Sequence, residues 1–276
     1  MVFPVPVIDL VRHYGSRALL RGGWRELARR FPVARPGVPS HAASRPDLPP
    51  DPSAEDGASE VVSHGARFAV RPYSTDHGII GETWAVYIEP LRAAGRTRFD
   101  HVIDLGAQIG GFSVHLAMNA EVRRITAIEP HPENFALLRK NILRNAVGDR
   151  VTARQAAASD RDGIARLAPS TTDNTGGHHL TLGTQRVSIA VESLDVRGLV
   201  APDDTDVVLK LDIEGWELPV LRRLRPLLPR ISAIVGELHS GRYADPADCL
   251  ALLRQAGYQV RLEGDPRIPG FIALRR

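Results

Sequence analysis

Short apolar runs alternate with amphipathic stretches from residue 99 to the end of the chain. Five of these runs have the length of buried strands, at residues 101–105, 124–128, 151–157, 207–211 and 231–235. Apolar positions at helical spacing mark residues 112–118, 132–145, 217–228 and 246–256. Regular alternation of strand and helix is typical of a parallel sheet with helices on both faces, and we predict this α/β fold. Two last strands, at residues 258–262 and 271–274, are expected to pair as an antiparallel hairpin. Residues 170–183 are polar and rich in glycine, which predicts a loop.

The chain before residue 99 has a different pattern. Residues 7–31 mix apolar side chains with arginines and predict a basic amphipathic helix. Residues 32–57 are rich in Pro, Ser, Ala and Asp, which predicts a flexible linker or a mobile lid. Residues 61–72 predict a hairpin, and residues 74–95 predict one or two helices before the first strand of the sheet. We therefore divide the chain into an N-terminal helical extension and linker (1–60), a cap segment (61–98) and a main domain (99–276).

Composition narrows the class of protein. The chain has 276 residues, of which 43% are hydrophobic, as in an ordinary globular domain. Its formal net charge is only +3, and no basic run is interleaved with aromatic residues, so we expect no nucleic-acid surface. The single cysteine, Cys249, excludes an intrachain disulfide and a cysteine-based zinc cluster. No run approaches the roughly 20 apolar residues of a membrane span and no signal peptide is evident, so we expect a cytoplasmic protein.

A glycine-rich loop follows the first predicted strand, in the sequence DLGAQIGG at residues 104–111. Its glycines permit positive φ angles and let a ligand approach the backbone closely. A second apolar run ends about 20 residues later in Glu129, near the spacing of a carboxylate that holds a ribose hydroxyl. The loop lacks the first glycine pair of GxGxxG, and no phosphate-binding lysine follows it, so neither a dinucleotide site nor a P-loop is favoured. These features predict a nucleoside-binding βαβ unit.

Acidic residues accumulate where the predicted strands end. Seven polar side chains occupy such positions, namely Asp104, Glu129, Asp160, Asp212, Glu214, Glu237 and His239. Ligands of open parallel sheets bind beyond the carboxyl ends of the strands, so we expect these side chains to meet in one place. Carboxylates crowded together repel one another unless a cation is present. The sulfonium and amino groups of S-adenosylmethionine, alone or with a divalent metal, would supply that positive charge.

Six segments of the main domain carry a family resemblance: VIDLGAQIGGFSVHLA, AIEPHPENFALLRKNILRN, ASDRDG, VESLD, LKLDIEGWELPVL and VGELH. Together they resemble the FkbM-type class I S-adenosylmethionine-dependent methyltransferases, and the combination of DIEG with ELH is the most specific. The resemblance extends from residue 99 to the C-terminus; Gln108 stands where the family more often has Asn, and both are amides. It implies a Rossmann-like fold with a seven-stranded, mostly parallel sheet and an antiparallel C-terminal strand. It also implies an O-methyltransferase, often acting on a hydroxyl of a sugar or polyketide in a glycolipid, oligosaccharide or secondary metabolite.

Roles in cofactor binding follow from the resemblance and the strand order together. The methionine part of S-adenosylmethionine is expected beside Asp104 and the loop residues Gly106, Ala107, Gln108 and Gly110. Glu129 is expected to hold the ribose hydroxyls, and Asp160 to face the adenine amino group. A purely structural role, as the cap of a following turn, is the alternative for each of these three carboxylates.

Two routes are open for activating the acceptor. Methyl transfer is an in-line displacement that needs the acceptor oxygen about 3 Å from the methyl carbon, and an alcohol is a poor nucleophile until its proton is removed. His239 is a candidate general base. Alternatively, Asp212 and Glu237 hold Mg²⁺, with His239 as a further ligand or as the base. Glu214 is expected to cap the helix that follows Gly215, where the helix dipole favours an acid.

Two other functions stay open alongside the methyltransferase. One is a binding or assembly protein that keeps the fold without catalysis. The other, with less support, is a nucleic-acid methyltransferase, because the chain has no NPPY-like motif. The partner we expect is a small molecule with a hydroxyl group. Residues 7–31 predict a peripheral membrane or glycolipid contact or a homodimer contact.

Overall fold

The computed structural model describes residues 59–168, 170, 175–181, 188–240, 243, 245–263 and 270–275. The strands are β1 Ser59–Ser63, β2 Ala66–Val70, β3 Arg98–Leu105, β4 Glu121–Ile128, β5 Val151–Arg154, β6 Ala157–Ser159, β7 Gly163–Ala168, β8 His179–Thr181, β9 Ile189–Asp195, β10 Val207–Leu211, β11 Ile231–Glu237, β12 Gln259–Glu263 and β13 Gly270–Leu274. The α-helices are α1 Asp76–Thr83, α2 Glu89–Ala93, α3 Gly111–Asn119, α4 Pro132–Arg144, α5 Glu217–Leu224 and α6 Pro246–Gln255. The predicted helix at residues 7–31 and the linker at 32–57 lie outside the described residues, and the three-part division of the chain stays a prediction.

Seven strands form the central sheet, in the order β12-β13-β11-β10-β3-β4-β5. Strands β11, β10, β3, β4 and β5 are parallel, while β13 runs antiparallel to both of its neighbours, β11 and β12. This topology confirms the predicted sheet and its antiparallel C-terminal strand. Because β11, β10, β3 and β4 are adjacent and parallel, their carboxyl ends meet at one edge of the sheet, where ligands of such folds bind.

Alternate residues of the central strands pack into two separate cores, one on each face of the sheet. In β3, Val102 belongs to the core that also contains residues of α1, α3 and α4, whereas Ile103 belongs to the core with α5 and α6. Val208 and Leu209 of β10 divide in the same way. Strands buried on both faces become nearly continuous apolar runs, which is the pattern seen in the sequence. The predicted helices on both faces are confirmed.

The cap segment is attached to the main domain through side-chain amides. Strands β1 and β2 pair antiparallel, as predicted. Asn141 of α4 bonds both to the backbone N–H of Ala69, at 2.7 Å, and to its carbonyl, at 3.2 Å. Asn145 repeats this two-way contact with Arg67. The two asparagines therefore satisfy backbone groups along the edge of β2 that a further strand would otherwise pair with.

Three predicted elements need correction. The run at 151–157 is not one strand: β5 ends at Arg154, and β6 lies in a second, four-stranded sheet of order β6-β9-β7-β8. No turn residue interrupts this run, so its pattern does not show where the chain leaves the central sheet. The helix predicted for 217–228 ends at Leu224 and is followed by a 3₁₀ turn, Leu228–Arg230. Strand β8 lies inside a segment that its polar, glycine-rich composition assigned to a loop.

Candidate active site

The glycine loop between β3 and α3 is held by backbone bonds to the neighbouring strand. Gly106 and Ala107 donate their N–H groups to the carbonyl of Ile128 at 3.0 and 2.9 Å. Gly106 has φ +79°, and a Cβ atom added to it would lie 1.9 Å from the carbonyl oxygen of Asp212. Only glycine fits this position, because the loop passes directly against the chain that leaves β10.

Gln108 and Gly110 complete the loop. Gln108 also has a positive φ, of 50°, and Gly110, at φ 93°, is the N-cap residue of α3. The backbone N–H of Gln108 donates to Glu129 Oε2 at 2.9 Å. The loop that the sequence predicts therefore exists, and Glu129 reaches it from the end of β4.

Glu129 is buried and accepts hydrogen bonds on both carboxylate oxygens. In addition to Gln108, the N–H of His131 donates to Oε1 at 2.8 Å and Asn134 Nδ2 lies 3.4 Å from the same atom. Burial raises the pKa of Glu129 to about 7, partly offset by these hydrogen bonds. Oε2 has a second lone pair beyond its bond from Gln108, and the ribose contact stays a prediction.

Asp104 is fully buried at the end of β3. Ser113 Oγ donates to Asp104 Oδ2 at 2.7 Å, and Lys210 Nζ lies 3.5 Å from Oδ1. Burial raises the pKa of this carboxyl group, partly offset by Lys210. The near partners of Asp104 are thus protein groups, and its predicted place beside the methionine part of the cofactor stays a prediction.

Asp160 has a different setting from the one the sequence indicated. It follows β6 in the four-stranded sheet and does not follow a strand of the central sheet. Its carboxylate pairs with the guanidinium of Arg161 at 3.0 Å and accepts from Ser159 Oγ at 3.2 Å. The Arg161 hydrogen bond lowers the pKa of Asp160. The adenine contact stays a prediction, without the support of a central strand end.

His239 lies at the centre of the acidic residues from β10 and β11. Its Nε2 atom is 3.6 Å from Glu214 Oε2, 3.7 Å from Glu237 Oε2 and 4.0 Å from Asp212 Oδ1. Asp212, Glu214 and His239 each offer one ligand atom within 4.8 Å of the others. The structure therefore brings the predicted Asp212, Glu237 and His239 together, and it adds Glu214, which faces His239.

Glu217 orients both the turn after β10 and the histidine. It is fully buried at the start of α5, and its Oε1 atom is 2.9 Å from His239 Nδ1. The same oxygen accepts from the N–H groups of Ile213 and Gly215, at 3.3 and 3.1 Å. Glu214 lies between these two residues at φ +52°, a strained conformation for a residue with a side chain. Glu217 therefore binds the backbone of this turn, and the cap predicted for Glu214 stays a prediction.

The electrostatics of the cluster favour protons or other cations. Burial by itself lowers the pKa of His239, but the hydrogen bond to Glu217 and the charges of Glu214 and Asp212 outweigh it and raise the pKa to about 10. Burial and the neighbouring Asp212 raise the pKa of Glu237 to about 8. The acidic neighbours of His239 therefore favour its protonated imidazole.

Tyr87 joins two of the acidic residues and was not indicated by the sequence. A turn of π-helix, Trp84–Ile88, carries it between α1 and α2. Its hydroxyl donates to Asp212 Oδ2 at 3.0 Å and lies 3.1 Å from Glu237 Oε1. These contacts span 125 and 150 residues of sequence, and a lone tyrosine in a helix gives no local sign of them. Single π-helical turns inside α-helices are frequent at functional sites.

Asp76 connects the cap segment to the glycine loop. Its fully buried carboxylate accepts from Gln108 Nε2 at 3.0 Å and from Thr175 Oγ1 at 2.7 Å. It also pairs with Arg71 at 3.0 Å. Burial alone raises the pKa of Asp76, but the hydrogen bonds from Arg71 and Thr175 outweigh it and lower the pKa. The start of α1 and the segment before β8 thus both lie against the predicted cofactor loop.

The strand order, the glycine loop and the carboxylates at neighbouring strand ends are together those of a class I methyltransferase fold. A model of the methyltransferase FkbM domain matches residues 104–260. The chain therefore belongs to the FkbM methyltransferase family and is an enzyme of the methyltransferase class.

Two curated relatives agree with this assignment, and one solved structure shows a weaker similarity. The chain is 32% identical over 216 residues to the 31-O-demethyl-FK506 methyltransferase FkbM of Streptomyces tacrolimicus, covering 64% of this chain and 81% of the relative. It is 29% identical over 227 residues to the hexuronic acid methyltransferase AglP of Haloferax volcanii, covering 79% and 88%. A crystal structure of a methyltransferase FkbM from Methylobacillus flagellatus KT is 19% identical with a TM-score of 0.47; the match covers 70% of this chain and 47% of that one.

Proposed function

We propose that this methyltransferase transfers a methyl group from S-adenosylmethionine to a hydroxyl group of a small molecule. The proposal rests on the contact between two parts of the site: the cofactor loop at residues 104–111 and the acidic cluster of Asp212, Glu214, Glu237 and His239. A Cβ on Gly106 would overlap the carbonyl of Asp212, so the cofactor loop and the acidic cluster are in van der Waals contact through their backbones. A methyl donor in the loop would therefore lie next to the groups that activate an acceptor, as in-line transfer requires.

The acceptor class we propose is a sugar hydroxyl of a glycolipid or oligosaccharide, with a polyketide hydroxyl as the second candidate. The names of the two curated relatives support these choices, since one acts on a hexuronic acid and the other on a demethylated FK506. Carboxylates and a histidine at the strand ends also suit the recognition of hydroxyl groups, which donate and accept hydrogen bonds.

A divalent cation, Mg²⁺ in the first instance, fits the residues of the cluster. Asp212, Glu237 and His239 would hold it, with Glu214 as a further ligand. One ligand atom each of Asp212, Glu214 and His239 lies within 4.8 Å of the others, and Glu237 Oε2 lies 3.7 Å from His239 Nε2. Its contribution would be to lower the pKa of the acceptor hydroxyl. Glu217 supports this arrangement because it binds Nδ1 of His239 and leaves Nε2 to face the metal. Histidines that bind a metal through one ring nitrogen usually hydrogen-bond a carboxylate or carbonyl through the other.

The general-base route is the alternative for His239. Its imidazole must then be neutral before it takes the acceptor proton, and the carboxylates around it raise its pKa. The metal route also needs a neutral imidazole, because a histidine ligand donates a lone pair to the metal. There, however, a divalent cation held by Asp212 and Glu237 would offset the negative charge that raises this pKa. We therefore favour the metal route.

Labelled methyl transfer tests the proposal. The enzyme is incubated with methyl-labelled S-adenosylmethionine and with hexuronic-acid oligosaccharides, glycolipids or polyketides, with and without EDTA. We expect label in the acceptor, loss of transfer in EDTA and recovery with Mg²⁺. Glu237→Gln should lower turnover at least about 100-fold, whereas Glu121→Gln, exposed at the opposite end of the sheet, should not.

Each negative result has a defined meaning. Undiminished turnover in EDTA removes the metal from the proposal and leaves the methyl transfer. Binding of S-adenosylmethionine without transfer to any acceptor favours the binding or assembly protein. Steeply salt-dependent binding and methylation of RNA or DNA would favour the nucleic-acid methyltransferase.

The remaining expectations concern location and partners. Among the helices of the described ranges, none combines the length and the hydropathy of a membrane span. Cytoplasmic location, a homodimer and a membrane or glycolipid contact through residues 7–31 stay predictions, the last because this segment lies outside the described residues.

A further inference from the structure

Lys210 is a buried lysine in a chain that otherwise relies on arginine. The sequence has 35 lysines and arginines in total, and Lys140 and Lys210 are its only lysines. The Lys210 side chain is 5% exposed. It stands on β10 directly opposite Asp104 of β3 in the strand register. Lysine and arginine are not interchangeable at a buried position, because the ammonium group is compact and the guanidinium group is larger and planar.

The ammonium group of Lys210 contacts both halves of the active site. Its Nζ atom donates to the carbonyl of Gly106 at 2.5 Å and to that of Leu105 at 3.5 Å. It also lies 3.5 Å from Asp104 Oδ1 and 3.6 Å from Asp212 Oδ2. Two oxygens at the cofactor loop and two carboxylates thus surround one charge.

These contacts give the glycine turn a second support. The N–H of Gly106 is held from β4 by the carbonyl of Ile128, and its carbonyl is held from β10 by Lys210. Removing the ammonium would leave the Gly106 carbonyl without this contact from β10. It would also leave Asp104, which has Ser113 as its other partner, without a positive charge nearby.

We propose that Lys210 is a positioning residue that fixes the cofactor loop against the acidic cluster, and that Asp104 acts through Lys210. On this account Asp104 holds the ammonium in place while Lys210 holds the Gly106 carbonyl and Asp212. The part of the proposal that concerns cofactor affinity rests on the proposed use of S-adenosylmethionine. The part that concerns the loop does not.

Hydrogen–deuterium exchange of the full chain, read by mass spectrometry, tests the proposal. Lys210→Met keeps the length of the side chain and removes the charge, and Lys140→Met, on α4, is the matched control. We expect the amides of residues 106–110 to exchange at least about tenfold faster in Lys210→Met, with the rest of the sheet unchanged, since a charged hydrogen bond to the turn is lost. Lys140→Met should exchange like the wild type.

Equal exchange in Lys210→Met and wild type, or a uniform increase across the whole domain, would overturn the proposal. If Lys210→Met does not fold because Asp104 is left as an unpaired buried charge, the double variant Asp104→Asn/Lys210→Met removes both charges and carries the same test. In this double variant, the amides of residues 106–110 must also exchange faster than the same amides in Asp104→Asn alone.

Calorimetry with S-adenosylmethionine separates this proposal from the proposed function. We expect affinity about tenfold weaker in Lys210→Met and unchanged in Lys140→Met. A wild-type enzyme that does not bind S-adenosylmethionine contradicts the proposed function, and the exchange experiment still decides the role of Lys210.

Discussion

Replacing Gly106 by alanine tests whether the cofactor loop must lie against the end of β10. The added Cβ would have two costs. At φ +79° any side chain is strained by about 1 kcal/mol, and the Cβ would lie 1.9 Å from the carbonyl oxygen of Asp212. Relieving that overlap requires the ends of β3 and β10 to separate, and overpacking of this kind costs about 1–3 kcal/mol more. We expect a total loss of about 2–4 kcal/mol in the free energy of unfolding.

Gly95 offers a matched control. Its φ is +75°, but a Cβ built there meets nothing within 4 Å, so Gly95→Ala carries the backbone strain without the overlap. Urea denaturation should show a loss of about 1 kcal/mol for Gly95→Ala and a clearly larger one for Gly106→Ala. Calorimetry should show S-adenosylmethionine binding in the first variant and at least about tenfold weaker binding in the second. Equal stability losses, together with wild-type cofactor affinity in Gly106→Ala, would refute the reasoning.

Three further predictions concern other parts of the molecule. Tyr87→Phe removes the hydroxyl between Asp212 and Glu237. It should lower kcat at least about tenfold with little change in cofactor affinity. An unchanged kcat in steady-state assays would show that the hydroxyl does not position these acids. The carboxylate of Asp204 is fully buried and bonded to His101. Asp204→Ala should lower the free energy of unfolding by about 3 kcal/mol, and a urea midpoint near that of the wild type would contradict this. Burial lowers the pKa of His115 to about 4. Below pH 6.5 the unfolded chain therefore binds a proton at this histidine, whereas the folded protein does not until the pH falls to about 4. The free energy of unfolding should decrease by about 3 kcal/mol between pH 6.5 and 4. His115→Phe should flatten this part of the pH profile, and parallel profiles for the two proteins would speak against the assignment.

The sequence predicted the parts of the site that depend on local pattern. The alternation of buried strands and helices placed Asp104, Glu129, Asp212 and Glu237 at strand ends, and the rule that parallel sheets bind ligands at these ends brought most of them together. The structure supports this placement for the acids of β10 and β11. Asp160 does not follow a strand of the central sheet, since the alanine-rich run before it passes into another sheet. No turn residue marks this change, so the sequence did not predict it.

Residues that act through long-range contacts left no comparable pattern. Tyr87, Lys210 and Glu217 look like ordinary helix or strand residues in the sequence, and their roles depend on groups brought close only by folding. Tyr87 meets Asp212 across 125 residues, and Lys210 meets the Gly106 carbonyl across 104. Residue spacing within one element reports on periodicity, so it carries no information about partners on another element.

Isothermal titration of the protein with S-adenosylmethionine tests the central claim most directly. The claim is that the glycine loop, with its acidic neighbours, holds a cationic nucleoside and not an anionic dinucleotide. We predict saturable binding at one site per chain for S-adenosylmethionine and no binding for NAD⁺ under the same conditions. Absence of binding by S-adenosylmethionine, or tighter binding by NAD⁺, would contradict the account.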